Sequence, residues 1–404
     1  MEPAEPWREG IYPVISSLSV GHVRSLDGQE FSFTPGINVI YGPNGCGKTT
    51  VLESVHLLSQ GFSFRAKDLK ELVTWNADEL VLRGTFEYDN MPLSRALLVG
   101  RRKIAAKENG VAVRSASAFF GKSPAVIMQP SDIELLRGAP EIRRHWLDEI
   151  LCFRSATNAG VLRNYKRVLQ QRNQWLRQFK REGSAVGGED LFQILSQQLV
   201  ELGAKLWLAR INLSAEISPV ITGYYRRLSG GIDEITCDYR SSILKELDAL
   251  DAADFMGTDE IESMVAERTV EYGMGGVTEE MLRNAFTEKL SDLELVEKMQ
   301  GVTMAGPHRD DLALCASGYE MRSVGSQGQC RSAAIAMRFA AVDVASQHVG
   351  KPILLLDDIF AELDVNRRDA VASLVREKDC QVLIATPQAE ELPFEADATI
   401  MCGV

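Results

Sequence analysis

The chain contains several short apolar runs whose length and spacing predict strands. Two of them, 352–356 and 381–385, are nearly continuous, as expected of parallel strands that are covered on both faces. A third run, 37–41, leads directly into a glycine-rich stretch. The segment 80–88 alternates in a way that predicts a half-buried strand. Further strands are predicted over 15–23, 29–33, 95–102 and 126–130.

From Ser131 onward the hydrophobic period lengthens to that of helices. Long helical patterns cover 160–181 and 191–227, separated by a glycine-containing break at 183–188. Two long helices joined by a short connection predict an antiparallel hairpin. Helix starts are predicted at 131–134 and 139–141, and an alanine-rich helix is predicted to end near Gln347. The pattern predicts an α/β fold with an inserted, mainly helical second domain.

Composition is that of an ordinary globular protein. The 404 residues are 45% hydrophobic and 25% charged, and no apolar run is long enough to span a membrane. The N-terminal ten residues lack the pattern of a signal peptide. The seven cysteines contain no CxxC pair, which favours free thiols in a reducing compartment. We therefore expect a cytoplasmic protein with no membrane partner.

Charge is distributed unevenly along the chain. The net charge is −12, but residues 95–183 hold 18 Lys and Arg against 7 Asp and Glu, and residues 233–300 hold 6 against 18. Such polarisation permits one basic face despite the acidic total. Tyr165, Trp175 and Phe179 lie within the basic segment, which favours a surface that follows nucleic-acid phosphates. The alternative is an ordinary solvated helix face.

The glycine-rich stretch after the strand at 37–41 carries the clearest chemistry. Gly42, Gly47, Lys48 and Thr49 fit the pattern G-x-x-x-x-G-K-[ST], and a helix is predicted to begin near Lys48. Glycines let backbone N–H groups turn toward a phosphate, and the helix N-terminus adds partial positive charge. Lys48 can reach the β and γ phosphates, and the Thr49 hydroxyl can bind Mg²⁺. The nucleotide-binding residues are predicted to be Gly42, Pro43, Asn44, Gly45, Cys46, Gly47, Lys48, Thr49 and Thr50.

The strand at 352–356 ends in two carboxylates, Asp357 and Asp358. In a phosphate-loop fold the first is placed to bind Mg²⁺ and the second to orient the attacking water. Upstream, the stretch Ser326, Gln327, Gly328 and Gln329 can offer a hydroxyl, a glycine amide and a helix N-terminus to a phosphate.

The order of these motifs resembles that in the ATPase head of ABC-type and SMC-like proteins. It is the phosphate loop, then SQGQ at 326–329, then ILLLDD-x-x-x-ELD at 353–364. More narrowly, GFSFR at 61–65, the stretch 130–148 and GPHRDDL at 306–312 resemble the RecF family of bacterial recombination mediators. The resemblance covers nearly the whole chain. It implies an ATPase head formed by 1–130 together with 303–404, and an inserted helical domain over 131–302.

The resemblance implies an ATP-gated homodimer that acts at gapped DNA. Lys48, Thr49 and Asp357 would hold ATP and Mg²⁺, while residues 326–329 would contact the γ-phosphate from the partner subunit. Asp364 would lie between the two sites. The family cooperates with RecR and RecO and promotes recombinase loading on single-stranded gaps, in DNA repair, replication restart and the SOS response. A slow, DNA-stimulated ATPase is implied.

Other assignments depend only on a residue's place relative to these motifs. Asp358 stands where many ABC heads carry Glu, and its shorter side chain suits slow hydrolysis. Thr386 stands where they often carry His, and Gln129 is a candidate metal-sensing glutamine. Cys46 is expected to fill space within the loop. The candidate DNA contacts are Arg65, Arg101, Arg102, Lys103, Lys166 and Arg167.

Three alternatives remain open. They are a transporter-type nucleotide-binding subunit, a defence ATPase of SMC-like ancestry, and a structural scaffold. The charge segregation and GPHRDDL argue against the first, and the pairing of Lys48 with Asp357 argues against the third.

Overall fold

The computed structural model of the protein describes residues 14–88, 91–101, 103–119, 123–231, 234–244, 276–389 and 392–403. Arg102, a predicted DNA contact, lies outside these residues, as does most of the first half of the acidic segment 233–300. No helix in the described ranges is both long and apolar enough to cross a membrane.

The chain forms two compact units. The first comprises Met1–Ile133, Arg227–Gly230 and Arg331–Val404, and the second comprises Glu134–Arg226 and Gly231–Cys330. The first boundary lies three residues beyond the predicted one at 130. Residues 303–330, which the sequence predicts to be part of the ATPase head, lie in the second unit.

The first unit contains a five-stranded parallel sheet. Its spatial order is β14-β3-β13-β12-β8, with bounds β3 Ile37–Tyr41, β8 Ala125–Met128, β12 Ile353–Asp357, β13 Val382–Thr386 and β14 Ala398–Met401. The predicted runs at 352–356 and 381–385 thus form β12 and β13, which pair in parallel and are almost wholly buried. Continuous apolar sequence follows from burial on both faces.

The same unit contains a six-stranded antiparallel sheet of order β2-β1-β4-β5-β6-β7. Its strands are β1 Val14–Gly21, β2 Gln29–Ser32, β4 Glu79–Tyr88, β5 Met91–Gly100, β6 Ile104–Glu108 and β7 Val111–Val113. Helix α1, Lys48–Gln60, contributes Val51, Leu52, Val55 and Leu58 to a core shared with residues of both sheets. This burial holds the helix and the loop before it in place.

Further helices are α2 Glu134–Arg137, α3 Pro140–Arg154, α4 Ala156–Glu182, α5 Gly188–Ser229, α6 Glu279–Gln300, α7 Met321–Val324, α8 Gln327–His348 and α9 Val365–Glu377. Short 3₁₀ turns cover Leu69–Leu72, Ala116–Phe119, Pro130–Ile133 and Pro307–Arg309. Strands β9 Ile235–Arg240, β10 Asp311–Ala316 and β11 Tyr319–Glu320 form an antiparallel sheet in the second unit.

The predicted hairpin is confirmed as α4 and α5. Trp175 near the end of α4 donates from Nε1 to the Gly188 carbonyl at 3.0 Å, and Arg172, one turn earlier, donates to Ser196 Oγ, also at 3.0 Å. Contacts that run in opposite directions along the two helices define an antiparallel pair. Gly183, with a φ of 68°, ends α4 in the left-handed conformation that glycine adopts without strain.

Candidate functional site

The glycine-rich loop has the backbone that its sequence predicts. Gly42 and Gly47 have φ values of 147° and 108°, and α1 begins at Lys48. A Cβ on Gly47 would lie 2.3 Å from Leu26 Cδ2, so steric contact as well as conformation requires glycine there. Lys48 Nζ donates to the carbonyl oxygens of Gly42 at 2.7 Å and Pro43 at 3.0 Å. The ammonium group is therefore held at the mouth of the loop.

The loop helix and the acidic strand meet through one predicted pair. Thr49 Oγ1 lies 2.9 Å from Asp357 Oδ1 and 3.1 Å from Oδ2, so the hydroxyl donates to this carboxylate. Burial raises the pKa of Asp357, while the Thr49 hydroxyl and the charge of Arg65 oppose that rise. A hydroxyl and a carboxylate are oxygen donors of the kind that Mg²⁺ takes when phosphates and water complete its shell. The side chains of Thr49 and Asp357 thus fit a magnesium site.

The described residues hold no group of three or more His, Cys, Asp or Glu side chains able to bind a metal by themselves. Mg²⁺ in nucleotide sites is usually bound by one or two protein groups together with substrate phosphates.

Other predicted residues lie at the same edge of the parallel sheet. β8 pairs with β12 up to Met128 and Leu356, so Gln129 is the next residue beside Asp357. Thr386 ends β13 and pairs in register with Tyr41, the residue before the loop. Carboxyl ends of parallel strands share one edge, where ligands of open α/β sheets bind. The fold therefore brings Gln129, Asp357 and Thr386 to the edge from which the loop emerges.

Asp358 and Thr386, two further predicted site residues, have distinct local environments. Asp358 has a φ of 51°, a left-handed conformation that Asp adopts more readily than most residues. Thr386 is buried, and its Oγ1 lies 3.2 Å from the Gln388 carbonyl oxygen, to which it donates. The Thr386 hydroxyl is thus committed to a local turn.

A buried carboxylate on α1 escaped the sequence analysis. Glu53 is 1% exposed and accepts two bonds from Arg24, at 2.7 and 3.0 Å, and one from the Ser63 hydroxyl. Arg65 Nη1 lies 3.9 Å from the same carboxylate. A charged residue at an inward position of an amphipathic helix was the signal for such a role. Glu53 anchors Arg24 and the segment 63–65 beside the phosphate loop.

The SQGQ stretch forms the N-terminus of α8 in the second unit. Ser326 Oγ accepts from the Gln329 backbone N–H at 3.2 Å, and Gln329 Oε1 accepts from the Ser326 N–H at 2.9 Å. This reciprocal arrangement is a capping box, and the S-x-x-Q spacing predicts it. Ser326 and Gln327 are exposed, so the helix end is open to a ligand.

Asp364 caps α9 in the first unit. Its carboxylate accepts from the Arg367 backbone N–H at 3.0 Å and pairs with the Arg367 guanidinium. These bonds from Arg367 lower the pKa of Asp364. The residue is half-exposed, and its structural role in the free subunit is that of a helix cap.

GPHRDDL holds the second unit together. Asp310 is buried and accepts from Trp207 Nε1 and, at 2.6 Å, from the Tyr239 hydroxyl. The Asp311 carboxylate accepts two hydrogen bonds from Arg143, from Nε at 2.7 Å and from Nη2 at 2.9 Å. The motif that the sequence offers as a family marker is therefore a connector between α3, α5 and β9.

The predicted basic contacts are exposed where the structure describes them. Arg101 lies 3.8 Å from Asp78, and both side chains are largely in solvent. Lys166 Nζ is 3.4 Å from Asp148 Oδ2, although Asp148 already accepts from Arg210 at 2.6 Å. Lys103 and Arg167 are exposed as well. These side chains are available to phosphates.

Two parts of the charge argument were wrong. Arg95, Arg143 and Arg172 are buried and serve internal contacts, so the excess over 95–183 overstates the charge that reaches the surface. Tyr165 and Trp175 are 2% and 4% exposed, and Phe179 packs against Trp175 at 5.1 Å. The aromatic residues belong to the packing of α4, since they occupy its inward face.

Comparison with known proteins gives a consistent result. The family model described as RecF/RecN/SMC N terminal domain matches residues 14–401. The chain is 31% identical to a protein named DNA replication and repair protein RecF from Geobacter metallireducens, over 95% of this chain and 96% of that one. It is 33% identical to the protein of that name from Symbiobacterium thermophilum, over 94% of this chain and 92% of that one.

Solved structures agree. A structure described as the recombination mediator protein RecF-ATP in RecFOR pathway superposes with a TM-score of 0.81 at 26% identity, covering 98% of this chain and 96% of that chain. A second structure, described as the recombination mediator protein RecF-ATPrS in RecFOR pathway, superposes with a TM-score of 0.80 at 27% identity, and 97% of each chain is covered. A structure of an SmcHead bound to the C-winged helix domain of ScpA, at 15% identity and a TM-score of 0.50 over 96% of this chain and 95% of that one, shares the fold alone.

Proposed function

Because the chain belongs to the RecF family of DNA replication and repair proteins, an ATPase family of the ABC and SMC type, we propose that it is an ATP-gated dimer that binds gapped DNA and helps to load a recombinase. The observation that carries this proposal is the contact between Thr49 and Asp357, 2.9 Å apart. It joins a complete phosphate loop to the acidic strand expected of a working nucleotide site.

Lys48 would leave the loop carbonyls to bind the β and γ phosphates, and the loop amides would surround them. Thr49 and Asp357 would hold Mg²⁺, which neutralises charge that develops on the phosphates. The partly buried environment that raises the pKa of Asp357 makes a bound cation favourable, because the cation stabilises the ionised carboxylate.

Asp358 would orient the attacking water, with Gln129 beside the metal-binding residue. A short carboxylate suits slow turnover, so that bound ATP acts as a switch. The bond of the Thr386 hydroxyl within its own turn argues for a positioning role of this residue at the strand end.

The exposed N-terminus of α8 supports the dimer. Ser326, Gln327, Gly328 and Gln329 would receive the γ-phosphate of a partner subunit, because open helix N–H groups attract phosphate. Asp364 would lie near the line between the two sites. In this scheme ATP bridges the subunits and hydrolysis releases them.

DNA would be bound through its phosphates by basic side chains. These are Arg65, Arg101, Lys103, Lys166 and Arg167, which are exposed, together with Arg102, which lies outside the described residues. The sequence contains no recognisable base-reading motif, so binding would depend on DNA structure and not on base sequence. Protein partners would be the mediators RecR and RecO. The protein would act in the cytoplasm, where these substrates occur.

The test is a titration of labelled gapped, blunt and single-stranded DNA, each with and without ATP and Mg²⁺. We expect ATP to tighten binding to the gapped duplex most, in parallel with dimer formation in sedimentation. ATP binding without any effect on DNA affinity or association state would refute the switch and leave a nucleotide-binding protein of another kind.

A further inference from the structure

Two cysteines that lie 356 positions apart in sequence meet at the phosphate loop. The Cys402 thiol donates to the Cys46 carbonyl oxygen, with 3.1 Å between sulfur and oxygen. The next residue, Gly403, packs so closely that a Cβ on it would lie 2.8 Å from Cys46 Cβ. The C-terminal strand β14 thus delivers one thiol directly beneath the loop that contains the other.

The two thiols differ in their surroundings. Cys402 is 1% exposed, whereas Cys46 is half-buried and lies on the loop itself. Burial and the adjacent Cys46 thiol raise the pKa of Cys402 to about 12, so that side chain stays protonated. An oxidant that approaches from solvent therefore meets Cys46 first.

We propose that Cys46 and Cys402 form a reversible disulfide that switches off the phosphate loop under hydroperoxide stress. The Cys46 sulfur attacks the O–O bond of hydrogen peroxide, which gives a sulfenic acid and one water. The Cys402 sulfur then attacks the sulfenic sulfur and forms the S–S bond, while the displaced hydroxide leaves with the Cys402 proton as the second water. The two sulfur atoms supply the two electrons that reduce the peroxide.

Formation of this bond is expected to change the loop, because Gly42, Cys46 and Cys402 already pack closely against one another. A Cβ on Gly42 would lie 3.1 Å from Cys46 Sγ and 2.5 Å from the Cys402 carbonyl oxygen. Drawing Cys46 toward β14 therefore displaces its neighbours Gly45 and Gly47, whose amides form the phosphate cradle. The consequence for ATP rests on the proposed function, but formation of the disulfide does not.

The experiment exposes the reduced full-length protein to graded hydrogen peroxide and then blocks free thiols. Non-reducing peptide mapping identifies the cross-link, and titration with a fluorescent ATP analogue measures affinity before oxidation, after it, and after dithiothreitol. We expect a linked peptide that contains Cys46 and Cys402, and a loss of affinity of roughly tenfold or more, or ~1.4 kcal/mol, which the reductant reverses.

Cys402→Ser is the informative variant because it keeps Cys46 in place. It is expected to bind the analogue like wild type when reduced and to keep that affinity after peroxide. Cys380→Ser, a change at another half-buried cysteine of the same unit, is expected to behave like wild type throughout.

Absence of the linked peptide from oxidised wild type would overturn the disulfide. A linked protein with unchanged affinity, or equal sensitivity of Cys402→Ser, would overturn the switch. Failure of the reduced wild type to bind the analogue would instead refute the proposed nucleotide site, so the two failures are distinguishable.

Discussion

Lys48 is the residue at which the proposed nucleotide site can be tested most directly. Its ammonium group now bonds two carbonyl oxygens of its own loop, Gly42 and Pro43, close to the surface. We predict that Lys48→Ala lowers ATP affinity by roughly 10- to 100-fold, since a hydrogen bond from a charged group contributes about 1.5–3 kcal/mol. Dimerisation induced by ATP should be lost in sedimentation while the circular dichroism spectrum stays unchanged. Lys67→Ala, at an exposed lysine of the same unit, is the control, and equal loss in both variants would contradict the assignment.

The adjacent carboxylates Asp357 and Asp358 have different proposed roles, the first in nucleotide binding and the second in turnover. Asp357 accepts a hydrogen bond from Thr49, and Asp358 has a left-handed backbone with a φ of 51°. We predict that Asp357→Asn abolishes the Mg²⁺ dependence of ATP binding, whereas Asp358→Asn keeps ATP bound and traps the dimer. Single-turnover hydrolysis and nucleotide titration at several Mg²⁺ concentrations measure the two effects. Identical behaviour of the variants would contradict this division.

His308 makes stability depend on pH through one buried imidazole. Its Nε2 faces the Thr303 carbonyl at 3.3 Å, which requires a proton on Nε2, so Nδ1 accepts from the Tyr165 hydroxyl at 2.7 Å. Burial lowers the pKa of His308 from 6.5 to about 4. As pH falls, the histidine of the unfolded chain is therefore protonated before that of the folded protein. The contribution of His308 to the free energy of unfolding is complete above pH 6.5 and is lost as pH falls toward 4. The full shift corresponds to about 3 kcal/mol.

We therefore predict that urea unfolding shows a steeper loss of stability between pH 7 and 4.5 in wild type than in His308→Gln, which can keep one donor and one acceptor. Asp310, whose pKa is raised by burial, acts in the opposite sense. It is present in both proteins, so the difference isolates the histidine. His145→Gln, at an exposed histidine, should follow wild type. Parallel stability curves for wild type and His308→Gln would refute the interpretation.

Among the helices, the Arg172 guanidinium joins α4 to both α5 and α6. Arg172 donates to Glu297 at 2.6 Å and to Thr303 Oγ1 at 2.8 Å, and Glu297 is fully buried. Removal of the arginine leaves a buried charge without its partner, which costs about 3–5 kcal/mol. We predict that Arg172→Ala lowers the urea midpoint of the second unit strongly, while Arg177→Ala on the exposed face changes it little. Similar midpoints for the two variants would show that the pair is weak.

The strands and the conformation of the glycine-rich loop were predictable from sequence because their signals are local. The apolar runs at 352–356 and 381–385 fix β12 and β13, and the glycine pattern fixes the start of α1 at Lys48. The partners of Arg143 and Arg172 were not predictable, since Asp311 and Glu297 lie more than 100 positions away. The period of hydrophobic residues predicts that a helix has one buried and one exposed face, but it does not identify which aromatic residues lie on the buried face. For that reason Tyr165 and Trp175 were misassigned to a DNA surface.

Across the whole chain, formal charge and surface charge differ. The net charge is −12, and part of the basic excess over 95–183 is neutralised inside the protein by acids from elsewhere in the sequence. What remains at the surface includes Arg101, Lys103, Lys166 and Arg167. Electrostatic binding to DNA should therefore depend on a few exposed side chains and not on the sum over the segment.

We predict that these side chains determine the salt dependence of DNA binding. Neutralising Arg101, Arg102 and Lys103, or Lys166 and Arg167, removes phosphate contacts, each worth roughly 0.9 in the slope of log affinity against log salt. Lys166 is expected to contribute less than Arg167, because it already lies 3.4 Å from Asp148.

Affinity for labelled gapped DNA at several salt concentrations measures the slope, and duplexes of unrelated sequence should lose affinity equally. The matched control is neutralisation of Arg226 and Arg227, two exposed arginines that are paired with Glu234 and Glu377. ATP should steepen the slope in wild type, because two subunits brought together present two sets of contacts to one duplex. Slopes that stay unaltered in both variant sets would move the DNA site elsewhere, and Arg65, 3.9 Å from Glu53 beside the phosphate loop, is then the next residue to neutralise.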